Sequence, residues 1–166
     1  MLSLSLETRQ DYSSPRRCHL EEDLSKIVEH ITKTDGFINV LVANSGITGP
    51  SLEGLKPTSS LAEIQEYLWK SDIDDFTHTY RVNISAVFYS VIAFLGLLDA
   101  GNKKSNVEQK SQVIATSSIG GFNRMPLAGY AYGSSKAAVN HLMKQFSTAL
   151  APHGIRSNII APGCKS

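Results

Sequence analysis

Tyr132-Gly133-Ser134-Ser135-Lys136 is the run of residues that most directly suggests chemistry. On a helix, a spacing of four puts the phenol and the ammonium one turn apart on one face. A free phenol, with a pKa of about 10, is a poor acid–base catalyst at neutral pH. A neighbouring ammonium favours the phenolate and lowers that value. The pair therefore suits proton transfer to or from an oxygen. A Tyr and a Lys at this spacing also occur by chance in many helices, so the assignment depends on what accompanies them.

Ser117-Ser118 closes the apolar run Gln112–Thr116 (QVIAT), just upstream of Tyr132. A hydroxyl there can hydrogen-bond a carbonyl oxygen that the phenol also reaches; the plainer alternative is that these serines cap a turn. Asn44-Ser45-Gly46 follows another apolar run at the corresponding edge. Asn83 falls inside a long helical stretch, where Asn is not preferred. If buried, it needs a hydrogen-bond partner, for which water is a candidate. Other chemistries find less support. The five histidines (His19, His30, His78, His141, His153) form no HxxxH or HExxH, so no metal site is expected. No GxSxG elbow is present, which argues against a serine hydrolase.

Elements must hold these groups together. Leu24, Ile27, Val28 and Ile31 form one helical stripe, with acids at positions 21–23 and Gly36 as the stop. Phe37–Ala43 (FINVLVA) reads as a strand buried on both faces of a parallel sheet. A Gly-, Pro- and Ser-rich loop follows to Ser60, then a short helix over 61–69. Asp72–Leu98 reads as one long helix that ends at Asp99–Asn102, with acids at its start where the helix dipole favours them. Gln112–Thr116 is a second strand, Tyr132–His153 a further helix, and Ile155–Ala161 a third strand stopped by Pro162-Gly163. The order α-β-α-α-β-α-β predicts a parallel sheet with helical crossovers. Residues 1–18 are poorly defined, although Leu2, Leu4 and Leu6 alternate with serines as in a short strand.

Composition sets the class. The chain has 166 residues, 42% hydrophobic and 19% charged, with formal net charge +1. That profile fits a folded globular domain and points to neither nucleic acid nor membrane as partner. Cys18 and Cys164 stand at opposite ends, form no CxxC and suit a reducing compartment. No signal or transit pattern is evident, and the most apolar stretch, Val87–Leu98, is short for a bilayer. A cytoplasmic location is expected.

The matching segments, in order, resemble the short-chain dehydrogenase/reductase family in its single-domain form. Val42-Ala43-Asn44-Ser45-Gly46 is similar to the NNAG signature after the family's fourth strand, with Ala43 and Ser45 as mild departures. Arg81-Val82-Asn83 is similar to the segment of the catalytic Asn, Ile114–Ser118 to the strand ending in the catalytic Ser, and Tyr132–Lys136 to YxxxK. Asn158–Gly163 is similar to the sixth strand and its PG turn. The resemblance implies an incomplete Rossmann-type, doubly wound α/β sheet over residues 19–166, comprising family strands 4–6 with flanking helices.

It also implies roles. Tyr132 would be the acid/base, Ser118 would orient the carbonyl, Lys136 would hold the nicotinamide ribose and tune Tyr132, and Asn83 would anchor a water joining Lys136 to solvent. Tyr130 would be a decoy, since Ser134 stands four residues on. Asn44, Gly46, Tyr132, Lys136, Pro162 and Gly163 would contact the cofactor, NADP with NAD as the alternative. The reaction implied is hydride transfer between that dinucleotide and a small-molecule carbonyl or alcohol, in a homo-oligomer.

One departure is large. The TGxxxGIG turn that brings backbone to the pyrophosphate at a helix N-terminus is not in this sequence. The resemblance thus implies a chain truncated at both ends, with doubtful cofactor binding. The alternative reading is a non-catalytic member, a pseudoenzyme or interaction subunit. By the same comparison Phe37–Ala43 becomes an unguarded apolar edge, the stripe of helix 21–35 has nothing obvious to cover, and poor solubility is expected.

Overall fold

A computed structural model describes residues 19–163. Cys18, Cys164 and the alternating leucines of 2–6 lie outside the described residues. The first helix, α1, is His19–Thr34. It closes on Gly36, which has φ +78° and donates its N–H to the Ile31 carbonyl at 2.8 Å. Next come β1 (Val40–Ala43) and the helix α2 (Leu61–Trp69). A Ser60/Glu63 capping box starts α2. The helix α3 (Ile73–Tyr80) runs through a π-helical segment, Arg81–Ser85, into α4 (Ala86–Lys104). The strand β2 (Gln112–Thr116), the helix α5 (Tyr130–Ala149) and the strand β3 (Arg156–Ile160) complete the order.

The three strands are parallel and adjacent in chain order, β1-β2-β3. Val40 pairs with Gln112, which pairs with Arg156. This is the expected α/β arrangement. Side chains alternate across the sheet, so Leu41, Ala43, Val113, Ala115 and Ile159 face the helices. There they pack with Val87, Val91 and Leu98 of α4 and Val139, Met143 and Phe146 of α5.

Four expectations need correction. The strand from Phe37 is shorter than predicted, because the Ile38 N–H is taken by the Leu97 carbonyl (3.0 Å) rather than by a strand. It is also not buried on both faces: Val40 and Val42 are 53% and 44% exposed, and β1 is an edge among the described residues. The stripe of α1 does have something to cover. Leu24 packs with Phe94 and Leu97 of α4, and Leu20, Ile27, Val28 and Ile31 pack around them.

The long helix, finally, does not stop at Asp99–Asn102. It runs to Lys104 and is capped by Ser105 in the left-handed region (φ 50°). Gly101 is a packing residue rather than a terminator, since a Cβ there would lie 2.1 Å from the Ile38 carbonyl oxygen. The next residue, Asn102, accepts the Ser111 N–H (2.7 Å) and donates to the Gly154 carbonyl (3.0 Å), which ties the helix end to the approaches of β2 and β3. By length and composition alone the helical run Ile73–Lys104 is long and apolar enough to cross a bilayer. In this fold one side of its α4 portion packs on the sheet and on α1, with Val87, Val91, Phe94, Leu97 and Leu98 buried, while Phe88, Tyr89 and Ile92 are exposed.

Two glycines of α4 test this packing. A Cβ placed on Gly96 would meet nothing within 4 Å. Gly96→Ala should therefore stabilise the chain by about 0.5–1 kcal/mol through backbone entropy. Gly101→Ala should destabilise it by about 1–3 kcal/mol through overpacking on Ile38. Urea unfolding measures both; equal effects would mean that the close approach at Ile38 is not a constraint.

Candidate active site

Parallel strands all end on one side of the sheet, and that is where the polar residues collect. The pairing of β2 with β3 continues past the strands: Ser117 N–H reaches the Ile160 carbonyl (2.8 Å) and Ile119 N–H reaches the Pro162 carbonyl (2.9 Å). These bonds set the Pro162-Gly163 turn beside Ser118. A cleft of about 320 Å³ opens there, lined by Asn44, Gly46, Ser118, Tyr132, Lys136, Pro162 and Gly163, together with Thr116, Ser117 and Ile119. Asn44 accepts the Thr116 hydroxyl (2.7 Å) across the ends of β1 and β2.

Tyr132 and Lys136 sit in the first turns of α5, as their spacing requires. The Lys136 ammonium is 5.7 Å from the centre of the Tyr132 ring. It donates to the Thr116 carbonyl at 2.7 Å, and the residue is 4% exposed. Burial lowers its pKa below the ordinary lysine value. Ser118 and Tyr132 meet across Gly120, where a Cβ would lie 3.3 Å from both Ser118 Oγ and Tyr132 Cε1. The Ser118 hydroxyl oxygen also accepts the Gly120 N–H (3.0 Å).

The neighbouring candidates are engaged or placed differently. Ser117 is 2% exposed, and its hydroxyl bonds the side-chain oxygen of Asn140, fastening the strand end to α5. Tyr130 is 52% exposed and does not line the cleft.

Asn83 stands behind the cleft wall, fully buried in the π-helical segment. A π-bulge inserts an extra residue into a helix and turns one side chain out of register. The Asn83 amide has protein partners where a water was a candidate. Its oxygen accepts the Ile47 N–H (2.9 Å). Its nitrogen donates to the Ile47 carbonyl (2.9 Å) and to Ser135 Oγ (2.8 Å). Ser135, 0% exposed, donates in turn to the Tyr132 carbonyl (2.8 Å). Sequence reading passed over Ser135. The signal that could have found it was its place three residues after Tyr132, on the same helical face.

Gly46 joins the two groups. A Cβ there would lie 3.1 Å from Lys136 Nζ and 3.2 Å from Asn83 Oδ1, so the cleft floor is open because this residue has no side chain. An ammonium and a phenol beside a bare backbone patch are groups suited to sugar hydroxyls. They fit the ribose end of a nicotinamide dinucleotide.

A family profile, short chain dehydrogenase, matches residues 16–166. The short-chain dehydrogenase/reductase PhomF' of Diaporthe leptostromiformis is 56% identical over 141 residues, covering 85% of this chain and 48% of that protein. Among solved structures, the Pseudomonas aeruginosa RhlG/NADP active-site complex superposes with a TM-score of 0.68 at 25% identity, over 88% of this chain and 50% of that one. An NAD+-bound xylitol dehydrogenase superposes with a TM-score of 0.66 at 25% identity, over 86% and 46%. The chain spans about half the length of the curated relatives it matches.

The two asparagines make a controlled comparison. Asn83→Ala strands buried partners at about 1–3 kcal/mol for each unsatisfied group. Asn44→Ala, at an exposed position, should cost no more than the roughly 0.5–1.5 kcal/mol of an ordinary hydrogen bond. Denaturant melts that rank Asn44 above Asn83 would contradict the clamp.

Proposed function

The chain belongs to the short-chain dehydrogenase/reductase family, and we propose on that footing that its cleft handles the carbonyl of a small-molecule substrate during hydride transfer. The observation that carries this reading is the meeting of Ser118 and Tyr132 across Gly120, with Lys136 one turn further along α5. Ser118 orients the carbonyl oxygen by hydrogen bonding. Tyr132 gives a proton to that oxygen in reduction and takes it back in oxidation. Lys136 holds the ribose hydroxyls and steadies the charge on Tyr132. Asn83 fixes the loop of Ile47 and the start of α5, and so positions the turn that carries Tyr132 and Lys136. Asn44, Gly46, Pro162 and Gly163 complete the wall for the cofactor, which when bound supplies or accepts the hydride. We assign NADP, and titration with NADPH and NADH separates the two. The proposed setting is cytoplasmic.

The test is turnover of ketones by the purified chain, and by the same segment carried in the frame of a full-length relative. Tyr132→Phe should lower turnover by about 10²–10⁴-fold, the usual worth of positioned acid–base catalysis. Tyr130→Phe should leave it within a few-fold. The reverse ranking would assign the chemistry to the other tyrosine. A chain that binds neither dinucleotide in either form would favour the non-catalytic alternative.

Self-association is proposed through the outer side of α4 and α5. Phe88, Tyr89 and Ile92 are 39%, 42% and 45% exposed there, and Phe88 stacks on Phe146 of α5. Exposed aromatic and aliphatic groups clustered on packed helices favour burial against a copy. Sedimentation should show a dimer or larger at micromolar concentration, and Phe88→Asp/Ile92→Asp should shift it to monomer. A monomeric parent chain would remove the proposal.

A further inference from the structure

The helix α2 is anchored to the rest of the chain along one side. Ile64, Tyr67 and Leu68 are half-buried there, and the Tyr67 hydroxyl accepts the Gly54 N–H (3.2 Å) and donates to the Ser51 carbonyl (3.2 Å). Spacings of three and four put these residues on one face. The opposite face is left to solvent, yet it carries large apolar groups. Leu61 and Trp69 are 82% and 87% exposed, and Ile73, just past the turn into α3, is 77% exposed. These are the three most exposed large hydrophobic side chains among the described residues. Single exposed hydrophobics are ordinary; the extremes gathered in one short stretch are not. Ala62, Gln65, Glu66 and Trp69 border an open, shallow recess of about 370 Å³ on the same side.

Charge sets this surface apart as well. Residues 61–75 carry the carboxylates of Glu63, Glu66, Asp72, Asp74 and Asp75 against one lysine, while the whole chain has net charge +1. All of these acids are exposed. Lys70 is already engaged with Glu66, at 2.8 Å. Capping explains part of the acidity, since Glu63 and Asp72 each accept a backbone N–H at a helix start. It does not explain why the most exposed apolar side chains stand among them.

We propose that the outer face of α2 and the start of α3 form a docking surface for a cationic amphipathic helix of a separate protein. Its apolar side chains seat on Leu61, Trp69 and Ile73, and its lysines or arginines face the surrounding carboxylates. Charge complementarity selects this occupant. Anionic lipid headgroups and nucleic-acid phosphates are repelled by the same carboxylates. An open recess bordered by one helix does not enclose a small molecule. A helix presents no strand edge, so an incoming segment cannot add as a strand; a helix with apolar anchors at intervals of three and four is the mode that remains. Tryptophan is enriched among the residues that carry binding energy at such contacts. None of the three anchors lines the cleft of Ser118 and Tyr132, so the surface stands apart from the hydride-transfer reading.

Trp69 is the only tryptophan in the chain, so indole emission reports on this surface alone. The full chain is titrated with a tryptophan-free amphipathic peptide of leucine and lysine, and with its leucine–glutamate counterpart. The lysine peptide should shift the emission to shorter wavelength in a saturable way, as water leaves the indole; the glutamate peptide should not. Raising the salt from about 0.05 M to about 0.5 M should weaken the lysine peptide several-fold, because exposed charges are screened. Leu61→Ser/Ile73→Ser keeps every charge and should weaken binding by about tenfold or more, from the lost apolar contact. Asp74→Asn/Asp75→Asn keeps the apolar anchors and should weaken it by roughly three- to tenfold. All four positions are exposed, and circular dichroism checks that the variants fold. Val107→Ser, in the loop after α4, is the control and should change binding less than about twofold. No saturable shift with the lysine peptide, an equal shift with the glutamate peptide, or binding unchanged by the apolar pair or by the acidic pair would each overturn the proposal. So would a shift that grows with the concentration of the chain alone, since a second copy would then cover the surface. Where a variant does not fold, the salt titration and the glutamate peptide decide the question on the parent chain.

Discussion

The side-chain amide of Asn83 joins pieces of chain that lie 36 and 52 residues away in sequence. On one side it holds both backbone groups of Ile47, in the loop after β1. On the other it holds Ser135, in the turn of α5 that carries Tyr132 and Lys136. Every one of these groups is removed from bulk water to some degree, and an unpaired one would cost about 1–3 kcal/mol. The loop therefore cannot drift from the helix without leaving polar groups unsatisfied. The π-helical segment puts the amide in reach. The extra residue costs regular helical bonding locally, and three hydrogen bonds to Asn83 offset it.

Lys136 depends on that arrangement. The residue is nearly buried, and its ammonium has a backbone carbonyl as its hydrogen-bond acceptor and no part in the ion pairs found among the described residues. Burial without a carboxylate disfavours the charged form, which is why its pKa falls. The ion pairs that are found lie on exposed helical surface, between residues three or four apart, where such pairs are worth little. Lys136 is thus a costly cation in the cleft, while Lys26, Lys33, Lys70 and Lys103 form cheap pairs on the outside. A charge held beside the Tyr132 ring makes sense as a device for acting on the tyrosine or on a ligand, since it contributes little as a source of stability.

What the sequence made legible follows from locality. The helical stripe of α1, the short strand β2 and the capped helix α2 are written in residues next to one another, and they stand at or near their predicted bounds. The lining of the cleft was legible because its groups sit at strand ends and one helix start, marked by short motifs. The errors came where a distant partner decides. Gly101 reads as a helix stop until the Ile38 carbonyl is seen against it. Phe37 reads as strand until Leu97 is seen taking the Ile38 N–H. Ser135 reads as a filler inside YxxxK until Asn83 is seen bonded to it. The choice between Ser117 and Ser118 rests on Asn140, whose side chain occupies the Ser117 hydroxyl.

The one-sided sheet has a topological cause. Strands β1, β2 and β3 are neighbours in chain order, so both crossovers advance across the sheet in the same direction. Right-handed crossovers, the near-universal hand, then put their helices on the same face. The core agrees, since α4 and α5 share Leu41, Ala43, Val113 and Ala115 as their floor. The helix α1 packs on α4 and so joins the same layer. Covering the opposite face would need a crossover that advances the other way, and residues 19–163 contain none. Val40, Val42 and Ile160 are exposed for that reason, and not because their residue types suit water. A continuous apolar run such as FINVLVA records where a strand can be buried on both faces. Which of those faces is covered depends on the direction in which the chain moves next.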